Sequence, residues 1–158
     1  MIANEAMMRA AIKAAIESAQ EGDYALGAVI ARNNEIIATG KTRLKHEPDP
    51  TVHAEIVAIR EACKKVNNKY LEDCVLYTTH EPCSMCASAA VWAKMKGIVF
   101  GATIEDAYEN AKTKAKGKFS WRQINIKCKE VLEKGEPKLE LVEGFLREDC
   151  KKLFELSQ

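Results

Sequence analysis

Two short strings, His53-Ala54-Glu55 and Pro82-Cys83-Ser84-Met85-Cys86, constrain this chain more than anything else in it. One His and two Cys supply three ligands for a zinc ion. A catalytic zinc site keeps its fourth position open for water, whereas a structural site closes with a fourth protein ligand. Glu55 adds a carboxylate that can move protons. For the ligands to meet, the span between His53 and Cys83 must set two helix starts side by side. One helix and one strand fit there, joined by a parallel strand pair and a right-handed crossover. The combination names a reaction type: attack of activated water on an amino-bearing heterocycle.

The rest of the pattern agrees with such a frame. Residues 2–20 read as an amphipathic helix carrying Met8, Ile12, Ala15 and Ala19, closed by Gly22. Leu26–Ala31 and Glu35–Thr39 read as strands of a hairpin turning at Asn33-Asn34, since Asn tolerates positive φ. A polar loop follows from Lys41 to Pro50. A helix is expected to start at Asp49-Pro50-Thr51, with Asp or Thr as its cap and Ile56, Ile59, Cys63 and Val66 as its buried stripe. Val75–Thr79 is a strand. Pro82 opens another helix, with Ala87, Ala90 and Val91 facing inward, and Ile98–Gly101 is the next strand. Residues 103–120 read as irregular. Trp121–Leu132 reads as a helix, Leu139–Val142 as a strand and Phe145–Leu156 as a closing helix. This order predicts a single α/β domain over residues 1–158, with helices packed on a central sheet.

Composition narrows the function. The 158 residues carry a net charge of +1, which gives no broad electrostatic case for nucleic-acid binding. Lys112, Lys114, Lys116 and Lys118 alternate with small residues and read as a solvated loop. No stretch is apolar enough to span a membrane. Glu5, Arg9, Lys13 and Glu17 interrupt the N-terminal segment, which argues against a signal peptide, and the expected location is cytoplasmic. In that reducing setting metal binding explains Cys83 and Cys86 better than a disulfide. A lone C-x-x-C also fits a redox pair or half a zinc ribbon, but a ribbon needs a second C-x-x-C and the chain has none. Cys63, Cys74, Cys128 and Cys150 read as small core residues, and Trp92, Phe100 and Trp121 as core aromatics. His46 and His80 fall outside the ligand set, His80 as a structural or pocket-shaping residue.

The two strings, extended to Asp49-Pro50-Thr51-Val52-His53-Ala54-Glu55, Ile59-Arg60 and Leu76-Tyr77-Thr78-Thr79-His80-Glu81-Pro82-Cys83, resemble the cytidine deaminase superfamily. The resemblance is to the branch that holds guanine, guanosine, tRNA adenosine and fungal cytosine deaminases, and it covers residues 24–102. It implies a three-layer αβα sandwich around a central mixed five-stranded sheet, and a homodimer. It implies one zinc ion held by His53, Cys83 and Cys86, with Glu55 as proton shuttle. The backbone N–H groups of Ala54 and Cys83 are expected to donate to the incoming oxygen.

Substrate contacts are expected at Thr42, Ala28 and Trp121. This branch carries an Asn two residues after the Gly that ends the second strand; here Thr42 follows Gly40, with one hydroxyl in place of an amide. Phe119-Ser120-Trp121 falls near the guanine deaminase lid. Val99-Phe100-Gly101-Ala102 and Val142-Glu143-Gly144-Phe145-Leu146 resemble the tRNA-editing enzymes. The expected activity is hydrolytic deamination of a free nucleobase or nucleoside, with an aminopurine such as guanine or guanosine ahead of cytosine. The alternatives are a tRNA adenosine deaminase and a non-catalytic zinc-stabilised module.

Overall fold

The computed structural model of the chain describes residues 1–114 and 124–157. The elements in chain order are α1 (Glu5–Gln20), β1 (Gly27–Arg32), β2 (Glu35–Lys41), α2 (Ala54–Val66), β3 (Cys74–His80) and α3 (Ser84–Trp92). They continue with β4 (Gly97–Ala102), α4 (Ile104–Lys114), α5 (Cys128–Lys134), β5 (Glu140–Val142), α6 (Arg147–Lys151) and a 3₁₀ turn at Lys152–Leu156.

The five strands form one mixed sheet in the order β2-β1-β3-β4-β5. β1 runs antiparallel to both β2 and β3, and β3, β4 and β5 are parallel. Side-chain alternation sends successive residues of each central strand into different cores. Ala28, Ile30, Leu76, Ile98 and Phe100 pack with Ala54, Ala58, Ala87, Ala90, Cys128 and Leu132 of α2, α3 and α5. Val29, Ala31, Tyr77 and Val99 pack with Met7, Met8, Ala11, Ala107 and Cys150 of α1, α4 and α6. The result is the expected three-layer αβα sandwich.

Topology positions the functional edge. Because β2 and β3 are each antiparallel to β1, they run in the same direction. The helices that follow them, α2 and α3, therefore both begin at one edge of the sheet. Gly40 near the end of β2 makes this tight: a Cβ there would collide with the Ala54 carbonyl oxygen at the start of α2.

Several local expectations are corrected. The helix expected at Asp49-Pro50-Thr51 begins at Ala54, because Thr51 gives its backbone N–H and its hydroxyl to Asp49 Oδ1 and closes a separate turn (2.8 and 2.6 Å). Its buried face is Ala54, Glu55, Ile56, Ala58 and Ala62, while Ile59, Cys63 and Val66 are half-buried. Small residues face the sheet because α2 lies close against it. Residues 104–114 are helical, not irregular: Thr103 and Asp106 form a reciprocal cap at the start of α4. The helix expected over Trp121–Leu132 is observed at Cys128–Lys134. Trp92 is 82% exposed rather than in the core. The Asn33-Asn34 hairpin is as expected, with φ of 53° and 58°. No described helix is long and apolar enough to cross a membrane.

Candidate active site

His53 and Cys83 are the N-cap residues of α2 and α3. Both have extended backbone (φ −65°, ψ 155° and φ −66°, ψ 171°), and neither side chain makes a capping hydrogen bond. An N-cap side chain stands outside the helical repeat and can reach past the helix end. This is why His53 and Glu55, two residues apart, serve one site although i and i+2 diverge on a regular helix. Cys86 lies in the first turn of α3, three residues after its N-cap, where it faces the same way as Cys83.

His53 Nδ1 lies 3.6 Å from Cys83 Sγ and 3.6 Å from Cys86 Sγ. The three donor atoms all lie within 4.8 Å of one another. A tetrahedral zinc with bonds of about 2.3 Å to sulfur and about 2.0 Å to nitrogen has N···S edges of roughly 3.5 Å. The triangle therefore fits zinc in both donor type and size. Among the described residues it is the one His/Cys/Asp/Glu group of this size found close enough to hold a metal.

The two thiols are electrostatically unequal. A hydrogen bond from Cys86 pulls the Cys83 thiol down to about 4, with help from His53 and against burial. Cys86 is pushed well above the usual thiol range, first by its bond to Cys83, then by burial and the nearby Glu55. The surroundings of Cys83 thus favour the thiolate, the form that ligates metal.

Glu55 is buried at 7% exposure with its carboxylate beside this triangle. Oε2 lies 3.4 Å from Cys86 Sγ, and Oε1 accepts a hydrogen bond from the Thr78 hydroxyl at 2.7 Å. Sequence reasoning missed Thr78. Its signal is a hydroxyl on the side of β3 that otherwise faces the apolar α2/α3 core. Ala54 is the first residue of α2 and Cys83 the N-cap of α3, and the first N–H groups of a helix have no intrahelical partner.

The remaining candidates are distributed as follows. Thr42 is buried; its hydroxyl donates to the Val52 carbonyl and accepts from the Leu44 N–H, both at 3.4 Å, tying the loop to the residue before His53. Ala28 is fully buried, registered across from Thr78 in β1, and backs the site from within the core. Trp121, Lys116 and Lys118 lie outside the described residues. His46 binds Asp23 (2.8 Å), and His80 contacts Thr79 (2.7 Å) and stacks edge-on against Phe154. Neither joins the metal triangle.

Comparison with known proteins agrees with this geometry. The chain is 41% identical over 107 residues to guanine deaminase of Bacillus subtilis, covering 67% of this chain and 69% of that one. It is 35% identical over 150 residues to the tRNA-specific adenosine deaminase of Bacillus subtilis, covering 95% and 85%. It is 40% identical over 98 residues to the tRNA-specific adenosine deaminase of Aquifex aeolicus, covering 62% of this chain and 65% of that relative. A guanine deaminase structure from Nitrosomonas europaea shares the fold, with TM-score 0.80 at 23% identity over 98% of this chain and 84% of that one. Residues 1–102 match the cytidine and deoxycytidylate deaminase zinc-binding region, and the chain belongs to that family.

Proposed function

We propose that this protein is a zinc-dependent hydrolytic deaminase of a free nucleobase or nucleoside, with an aminopurine such as guanine or guanosine preferred over cytosine. The observation that carries this reading is the Glu55 carboxylate, buried and oriented by Thr78 beside the His53/Cys83/Cys86 triangle. A purely structural zinc site has no use for such a group.

His53 Nδ1, Cys83 Sγ and Cys86 Sγ would hold the zinc ion, which would supply Lewis acidity and make water a better nucleophile near neutral pH. Glu55 takes the proton from the attacking water and delivers it to a ring nitrogen of the substrate. The N–H groups of Ala54 and Cys83 donate to the incoming oxygen. The water oxygen bonds to the amino-bearing carbon; Glu55 then takes the proton of the new hydroxyl and gives it to the amino nitrogen, the C–N bond breaks, a carbonyl forms and ammonia leaves. Thr78 keeps Glu55 aimed through this exchange.

The preference for a small aminopurine rests on the guanine deaminase relative and on the net charge of +1, since phosphate contacts need clustered Lys and Arg. The second reading, tRNA adenosine deamination, is favoured by the similarity to the Bacillus subtilis tRNA enzyme over 95% of this chain. Ammonia release measured over guanine, guanosine, cytosine, cytidine, adenine, adenosine and tRNA separates them. Turnover of a free purine that is insensitive to salt supports the first reading. Turnover of tRNA alone, falling steeply with salt, replaces it with the second.

We also propose a cytoplasmic homodimer. The six free cysteines suit a reducing compartment, and Trp92 on the outer surface of α3 offers an apolar contact. A single-chain mass by light scattering would refute the dimer.

A further inference from the structure

We propose that Glu81 is a positioning residue that couples the metal-ligand loop to the starts of α4 and α5. Glu81 follows the last residue of β3 and stands two residues before Cys83. Its N–H donates to the Ala102 carbonyl at 2.7 Å, fixing its backbone at the end of β4. Its side chain is 7% exposed. Oε1 accepts the N–H of Ile104, the first residue of α4, at 2.8 Å. Oε2 accepts the N–H of Cys128, the first residue of α5, at 2.9 Å.

These two helices belong to different layers. Ala107 of α4 packs in the core with α1, and Cys128 and Leu132 of α5 pack in the core with α2 and α3. One carboxylate therefore pins two feet, the first residues of two helices that lie in different layers. That carboxylate is joined to Cys83 through a single residue, Pro82, whose ring fixes φ. Any change in how the feet sit is felt at the metal ligands, and the reverse. A second tie between the feet, the Lys127–Glu105 ion pair at 2.8 Å, is solvent-exposed on both sides and is the weaker of the two. The inference rests on the deaminase reading in one respect: Cys83, two residues from Glu81, is among the residues read as holding the zinc.

Glu81→Gln tests this without changing the residue's size. The amide offers one acceptor oxygen and turns an N–H donor toward the other foot, so one foot is released. Three quantities are measured on the zinc-loaded variant: zinc per chain, hydrogen exchange in the peptides spanning Ile104–Lys114 and Cys128–Lys134, and kcat and KM on the substrate found by the ammonia screen. The expected result is zinc still bound, exchange faster by about 10-fold at one or both feet, and kcat lowered by about 10-fold with KM within about 3-fold. Lys127→Ala is the control and is expected to shift kcat by no more than about 2-fold. Unchanged exchange at both feet would overturn the clamp, and so would loss of zinc without change at the feet. An equal effect of Lys127→Ala would overturn the specific role of Glu81. If wild-type protein releases no ammonia from any substrate, the deaminase reading fails, while the exchange data still decide on the clamp.

Discussion

The helix starts at His53 and Cys83 differ from the helix start at Thr103. At α4 the local chemistry is complete. Thr103 gives its N–H to Asp106 and its hydroxyl accepts the Asp106 N–H, while Arg147 grips the same carboxylate with two bonds of 2.8 and 2.7 Å. At α2 and α3 the N-cap side chains make no capping hydrogen bond at all. A missing cap typically costs about 0.5–2 kcal/mol. The chain forgoes that stability twice, at the two places where its side chains converge on one point. Polar groups at α4 are spent on holding the fold, and those at α2 and α3 are kept for a ligand.

Breaking each kind of start should give different results. The largest effect short of removing a ligand or Glu55 is expected from Thr78→Val. The hydrogen bond to Glu55 is charge-assisted, so kcat/KM should fall by roughly 10- to 100-fold with zinc content and melting temperature little changed. Steady-state kinetics beside metal analysis check this, and a loss of zinc would show that Thr78 serves the metal site instead.

Asp106→Asn should move stability and leave the site alone. Burial raises the Asp106 carboxyl, but Arg147 and the Thr103 hydrogen bonds overcome it and hold the group at about 2. A depressed carboxylate stabilises the fold at pH values above the unfolded group's pKa, and that contribution is lost as pH falls through the folded value. Because Arg147 faces solvent, the variant should lose only about 1–2 kcal/mol at neutral pH. The gap from wild type should close as pH drops from about 4 to about 2. Denaturant melts across that range give the answer; a gap independent of pH would contradict it.

The smallest effect should come from His53→Ser in metal-free protein. A serine there can cap α2, so stability should rise by about 1 kcal/mol even as zinc binding is lost. A drop in metal-free stability would mean that His53 supports the fold itself.

The metal triangle was legible in the sequence because its residue types are rare and their spacing fits few arrangements. Glu55 was legible through its neighbour His53. Thr78 was not, since a Thr in a strand is ordinary and only the packing of α2 on β3 brings its hydroxyl to Glu55. The start of α4 was written in Thr103 and Asp106, a capping-box spacing obscured by the polar residues after it. The start of α2 was misplaced because Asp49 and Thr51 have capping chemistry but use it on each other. The Ala54/Ala58/Ala62 face was overlooked for a similar reason: larger apolar residues draw attention, but a helix pressed close to a sheet needs small ones. Trp92 shows that a large aromatic at helical spacing is no guarantee of burial. Glu81 lies within the motif, but the backbone N–H groups that its carboxylate binds lie 23 and 47 residues away, beyond any local pattern.

The central claim is that Glu55 moves the proton beside a metal site that it does not itself hold together. Zinc stoichiometry and ammonia release, measured on one preparation of Glu55→Ala, test it most directly. The account predicts wild-type zinc content with turnover reduced by about 10²- to 10⁴-fold. Wild-type turnover in that variant would contradict it.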